Sequence, residues 1–315
     1  MAITANTVDT YVGATSNREV LIDAIYNVNM MQCPFLTEIC KRTTTTGTTH
    51  QWQTVTLAAA AANAAIEGDV ATALQNTVSL RPKNVTQISR IFFGVSGTQE
   101  AVNKAGNQSE RAKQASFAYQ RLMRDMEFIL TTNQAPVDPG ATNTARQLRP
   151  LEGWYSTNVS RGSGGANGTA SAAATDGTQR AFTRTLFETV QQSIFLNAGP
   201  GTKTVMMGPA QKLVFETFDW YSTVKRQDTS DGRLTAALEV IATSFGEVKV
   251  VLNAFSRART VHILDNDMWE VPYLRELQDV DLGKDGDSDK YMVVAEYTLQ
   301  ANNERASGVI ADLTT

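Results

Sequence analysis

Residues 108–130 contain neither Gly nor Pro and carry the longest uninterrupted helical pattern in the chain. Ala115, Tyr119, Leu122, Met126 and Ile129 recur at steps of three and four, which places them along one side of a helix. Arg111, Gln114, Arg121, Arg124 and Asp125 fall mostly on other sides. Asn107 or Ser109 can accept from the free amides at the start, and Thr131, Thr132 and Asn133 dissolve the pattern. At ~1.5 Å per residue this is a rod of roughly 35 Å. Phe117 and Phe128 lie off the stripe, so the rod meets partners on more than one side.

What precedes the rod is its compositional opposite. Residues 43–81 hold one aromatic, Trp52, and few large aliphatics. Residues 50–57 alternate as a strand does, 58–65 are nearly all Ala and Asn, and Ile66, Glu67, Gly68 and Asp69 form a turn-like knot. Residues 71–80 then return as a second strand. Such a segment cannot build its own core, and a lone two-stranded hairpin is marginal in water. Two strands of this length would reach about 60 Å. The piece is therefore expected to lie along something else.

The remaining order is informative. Residues 1–17 are polar and aperiodic, an arm rather than a core element. Residues 18–31 read as a helix that Pro34 stops, and 35–40 is a short apolar piece. Residues 84–95 read as a strand, and 135–150, with three prolines, as a loop. Residues 161–177 are Gly, Ser, Ala and Thr and read as a flexible surface excursion. A second helix is expected over 182–197, stopped by Gly199. Strands are expected over 204–207, 236–243, 248–252, 260–264 and 291–299, with an acidic loop over 279–289 and a tail at the end. Helices alternating with strands make this an α+β chain.

Net charge is −4, with 19% charged and 42% hydrophobic residues, so bulk charge gives no case for gripping nucleic acid. No apolar run is long enough for a membrane span. Cys33 and Cys40 read as two reduced thiols. His50 and His262 stand alone, without a motif, and read as structural. Recognisable catalytic, phosphate-cradling and dinucleotide motifs are missing, so no catalytic residue and no cofactor is expected. Asp285, Asp287, Asp289 and Glu296 have the spacing of some calcium-loop ligands, but Lys290 stands where Gly should make the turn. A solvated acidic turn is the reading preferred there, and no metal is expected.

Taken together, this order of parts resembles the major capsid proteins of tailed double-stranded DNA phages, whose fold is shared with encapsulins and the floor of herpesvirus shells. The local text that carries the likeness is Met-Gln-Cys-Pro-Phe-Leu-Thr at 31–37, His50-Gln51-Trp52, Ile66-Glu67-Gly68-Asp69, Arg124-Asp125-Met126-Glu127, Phe245-Gly246-Glu247-Val248 and Ile263-Leu264-Asp265. It covers roughly residues 18–310. Cys33 departs from the Thr expected before the Pro-Phe pair.

The resemblance implies an N-terminal arm (1–42), an extended loop lying over a neighbouring subunit (43–83), a peripheral domain with the rod as its spine (84–150), an axial domain (151–259), and a return to the peripheral domain with a C-terminal tail (260–315). It implies homo-pentamers and homo-hexamers of an icosahedral virion shell around packaged DNA, without sequence-specific binding. A separate scaffolding protein, a portal protein and in some cases a decoration protein would be partners, with assembly in the host cytoplasm. Relatives that crosslink Lys to Asn find no counterpart here, since Lys83 lies at the base of the loop. Trp52 and Ile66 are expected as apolar anchors on the neighbour, with Glu67 and Asp69 pairing with its basic residues. Trp52→Ala is then expected to lower assembly yield and leave the isolated subunit intact. Three other readings compete: an encapsulin-like compartment, a soluble α/β enzyme, and a tail or adaptor protein that forms rings or tubes.

Overall fold

The rod forms as its pattern requires. In the computed structural model, which describes residues 32–62, 64, 67–68, 76–102, 109–138, 143–218 and 240–315, the helix spans Glu110–Thr131. Ser109 caps it, its hydroxyl accepting from the Ala112 amide at 3.2 Å. Ala118, Leu122, Met126 and Leu130 are its buried line, while Ala115, Tyr119 and Ile129 are half-buried. The inward face is thus turned a little from the expected one, and it includes a charged residue, Glu127. The expected arm at 1–17 and the expected helix at 18–31 lie outside the described residues.

The spine helix crosses one face of a five-stranded sheet. Its strands run in the order Lys41–Thr44, Trp269–Asp285, Ser288–Tyr297, Gln87–Ser96, and Gln300–Ala301 adds to the long second strand. Ile91 lies opposite Val293 and Phe93 opposite Tyr291, so alternate side chains meet the helix. The expected acidic loop at 279–289 is instead the tip of a hairpin. Asp285 pairs with Ser288 across a turn at Gly286, whose φ of 68° suits Gly. The strand there is acidic because its tip is solvent-exposed on both sides, which hides the alternation of Val280 and Leu282 from a hydrophobicity reading.

A second, six-stranded sheet runs in the order Val159–Ser160, Gly308–Ile310, Val261–Leu264, Lys203–Met207, Gly246–Leu252, Val240–Thr243. Lys203–Met207 and Gly246–Leu252 are parallel, joined by a crossover that begins with the helix Pro209–Phe215. That helix and Arg184–Ala198 cover one face, and Phe182, Phe187, Phe215 and Phe218 form an aromatic cluster with ring centroids 5.2 to 6.2 Å apart. Two expectations are corrected. Val261–Leu264 belongs to this second sheet, so the return to the first begins at about Trp269. The expected C-terminal tail supplies an inner strand, Gly308–Ile310, because its fully buried Val309 and Ile310 complete both cores.

The glycine-rich stretch 161–177 does not float. Its backbone is tied by Ala166 to Thr175, and the Asp312 carboxylate accepts from the Gly162 and Gly177 amides at 3.0 and 2.9 Å. Glycine is required at 162 by close approach, since a Cβ there would lie 2.0 Å from the Thr178 carbonyl oxygen.

Candidate assembly surfaces

One region of this molecule stands off both bodies. Thr49–Gln51 pairs antiparallel with Lys83–Val85. Beyond it Thr54 and Leu80 exchange both backbone hydrogen bonds, at 2.9 and 2.8 Å. Past that pair, residues 55–62 and 76–79 are irregular and exposed. Val55, Leu57, Val78 and Leu80 are 60 to 78% exposed, on a segment with too little apolar mass to cover them itself. Glu67 and Gly68 form an exposed turn at the far end, with Gly68 at φ 84°. Ile66 and Asp69 lie outside the described residues.

Trp52, expected as an anchor on a neighbour, is spent on its own chain. Its indole N–H donates to the Ala301 carbonyl at 2.9 Å, its ring lies 5.3 Å from Trp154, and only 9% of the residue is exposed. It fixes the base of the hairpin to the body. Asn84 does the same from the other limb, donating to the Leu299 carbonyl at 2.7 Å and accepting from the Arg149 amide at 2.8 Å. The apolar residues that face outward are the aliphatics beyond this base. Alternation alone put Trp52 on a strand face but could not say which face met the body.

A second feature is a joint. The chain leaving residue 32 makes one wide turn, Phe35–Ile39, closed by the Cys40 amide on the Phe35 carbonyl. Glu127 of the spine, fully buried, accepts from the Phe35 and Leu36 amides, both at 2.9 Å. The same carboxylate accepts from the Asn253 side-chain amide at 2.6 Å, just past the strand Gly246–Leu252. Burial pushes the Glu127 carboxyl up, against the pull of these three donors. Sequence reasoning missed it because a Glu near a helix end is exposed by default.

The third feature is an ion-pair knot under the second sheet. Fully buried Glu152 accepts from Arg161 at 3.3 Å and Arg257 at 2.5 Å. Arg257 also holds Asp176 at 2.6 Å, Arg259 bridges Asp176 and Asp312 at 3.1 Å each, and Asp312 ties down the glycine stretch. Burial opposes the charge on Asp176, but the Arg257 hydrogen bonds with the charges of Arg257, Arg259 and Arg161 win and hold its carboxyl below the usual range. Three acids and three arginines compensate one another, which makes the knot cohesive rather than a ligand site.

The remaining titratable groups are structural. His262 is fully buried, stacks on Tyr155 at 5.7 Å, and is lowered to about 3 by burial and then by Arg257 and Arg161, so it is neutral. His50 contacts Thr45 at 3.0 Å and Gln300 at 2.5 Å. Cys33 and Cys40 are buried; burial, then the Glu127 charge, pushes Cys33 up to about 11 and Cys40 well above its ordinary value, the opposite of an activated thiolate. Glu296 accepts from Thr86 at 2.8 Å and Arg275 at 3.0 Å, and also from Arg146. Asp289 sits seven residues earlier on the same strand, about 23 Å away, so the two cannot ligate one ion. Among the described residues no helix is long and apolar enough to cross a membrane.

Known proteins share this arrangement. The family model of the SU10 major capsid protein matches residues 4–314. The chain is 26% identical over 302 residues to the major capsid protein of Escherichia phage Phieco32, covering 84% of this chain and 85% of the relative. The cyanophage A-1(L) capsid subunit superposes with a TM-score of 0.68 at 11% identity, over 98% of this chain and all of that one. A chain from a structure of Gordonia phage Cozz superposes at 0.62 and 11%, over 99% of this chain and 97% of that one. With two bodies, a spine between them and a self-insufficient hairpin already described, the match over nearly the whole length decides the matter: the chain belongs to the SU10 major capsid protein family and is a shell-forming structural protein of a phage virion.

Proposed function

We propose that copies of this chain close into pentamers and hexamers of an icosahedral shell around double-stranded DNA, each hairpin lying on a neighbouring subunit. The observation that supports this most is the exposed Val55, Leu57, Val78 and Leu80 on a segment that makes no core of its own. Each such contact is modest, but every subunit gives and receives one, and closed symmetry makes them mutually reinforcing. Glu67 at the tip adds a charge that a basic residue next door can meet. DNA is enclosed without sequence reading, in keeping with the net charge of −4. Scaffolding, portal and decoration proteins are the further partners this role calls for, and the shell is built in the host cytoplasm.

The test is electron microscopy of the expressed full-length chain, with and without a scaffolding partner. Closed shells are expected from the parent sequence. Leu57→Asp with Leu80→Asp is expected to leave a folded subunit, with stability changed by no more than about 0.5 kcal/mol, that no longer closes shells. Wild-type shell yield from this double variant would refute the reading of the hairpin.

A further inference from the structure

The joint at Glu127 does more than fill space. Its carboxylate joins the N-terminal turn, the spine and the end of a second-sheet strand through a single group. All three donors are neutral amides, so the buried charge is held by geometry alone. Two flanking ties mark out the same joint. Thr131, one turn further along the spine, has its hydroxyl 2.9 Å from the Glu127 carbonyl of its own helix and 3.3 Å from the Phe255 carbonyl, and Phe255 donates its amide to the Asn253 side chain at 2.8 Å. On the surface, Glu38 of the turn meets Lys249 of the second sheet at 3.3 Å. Beside them a cleft of about 460 Å³ opens between residues 32–38 and 249–252, along the strand Gly246–Leu252.

We propose that Glu127 is a coupling residue: it links the course of the arm at Phe35 and Leu36 to the seating of the second sheet at Asn253, so that a pull on the arm is felt in the axial body. A carboxylate suits this role because it accepts from both partners at once without donating to either. Oε1 takes both the Phe35 amide and the Asn253 side chain, so a glutamine whose oxygen keeps that place loses only Leu36, whereas an alanine removes both sides of the link.

Hydrogen exchange on the full-length unassembled chain tests this, read at the Phe35 and Leu36 amides. Glu127→Ala is expected to speed their exchange about tenfold, the scale of one lost charge-assisted hydrogen bond. Asn253→Ala, which touches neither amide, is expected to speed them several-fold in the parent and to add nothing in the Glu127→Ala background. That non-additivity separates coupling from loss of packing. Should Glu127→Ala fail to fold, Asn253→Ala alone still decides: unchanged exchange at Phe35 and Leu36 overturns the proposal. An Asn253→Ala effect that persists undiminished without the carboxylate overturns it as well.

Discussion

The hairpin at 43–83 and the stretch at 161–177 look alike as text, since both are poor in large side chains and rich in small polar ones. They end in opposite states. The second is held to its own body by charges that arrive mostly from far along the chain: Asp312 on its amides, Arg257 and Arg259 on its own Asp176, and the nearer Glu152 on its Arg161. Among the described residues the first is fastened at its base, by Trp52, His50 and the neighbouring Asn84, and offers bare aliphatics beyond. Lean composition therefore says that a segment needs partners. Whether the partner is the same chain or another copy depends on residues that lie elsewhere.

The contrast breaks first at Asp312. It is buried and held at φ 61°, where few non-glycine residues sit, and its carboxylate serves two amides and Arg259. Asp312→Ala leaves these unmet and should cost about 3–5 kcal/mol by chemical denaturation. It should also release the 161–177 stretch to proteolysis, making it resemble the hairpin. At the hairpin base, Trp52→Ala should cost the isolated subunit about 3 kcal/mol. This reverses the expectation that its loss would be felt only in assembly, and a melt of the unassembled chain distinguishes the two.

The smallest effect is pH-dependent. His262 is held neutral in the fold, lowered to about 3, while its unfolded value is near 6.5. Its contribution is therefore complete above about pH 6.5 and is lost as pH falls towards the folded value. At pH 5 that loss is about 2 kcal/mol. Denaturation at pH 7 and pH 5 should show it, and His262→Phe should remove that part of the slope. Exchange at residues 55–62 should not follow it.

Much of the fold was legible. Regular spacing of large apolar residues gave the spine, the helix Arg184–Ala198 and the strands Lys203–Met207, Gln87–Ser96 and Ser288–Tyr297 to within a few residues. The losses share one cause, a side chain whose partner is remote. The strand Trp269–Asp285 carries charges on exposed faces, so no apolar alternation marks its outer half. Gly308–Ile310 is too short to show a period, and its depth comes from the strands either side of it. Glu127 and Asp312 do not stand out in the sequence because nothing near them supplies the amides they hold. For the assembly surface, the hairpin's insufficiency was visible, but the outward residues were not, since Trp52 meets Ala301 some 250 residues away in the chain.

Hydrogen exchange over residues 55–57 and 76–79, compared between the unassembled chain and purified particles, tests the central claim most directly. The account predicts fast exchange in the free subunit, because beyond Thr54 and Leu80 the limbs are exposed, and strong protection in the particle, where a neighbour covers them. Equal exchange in both states, fast or slow, would contradict it.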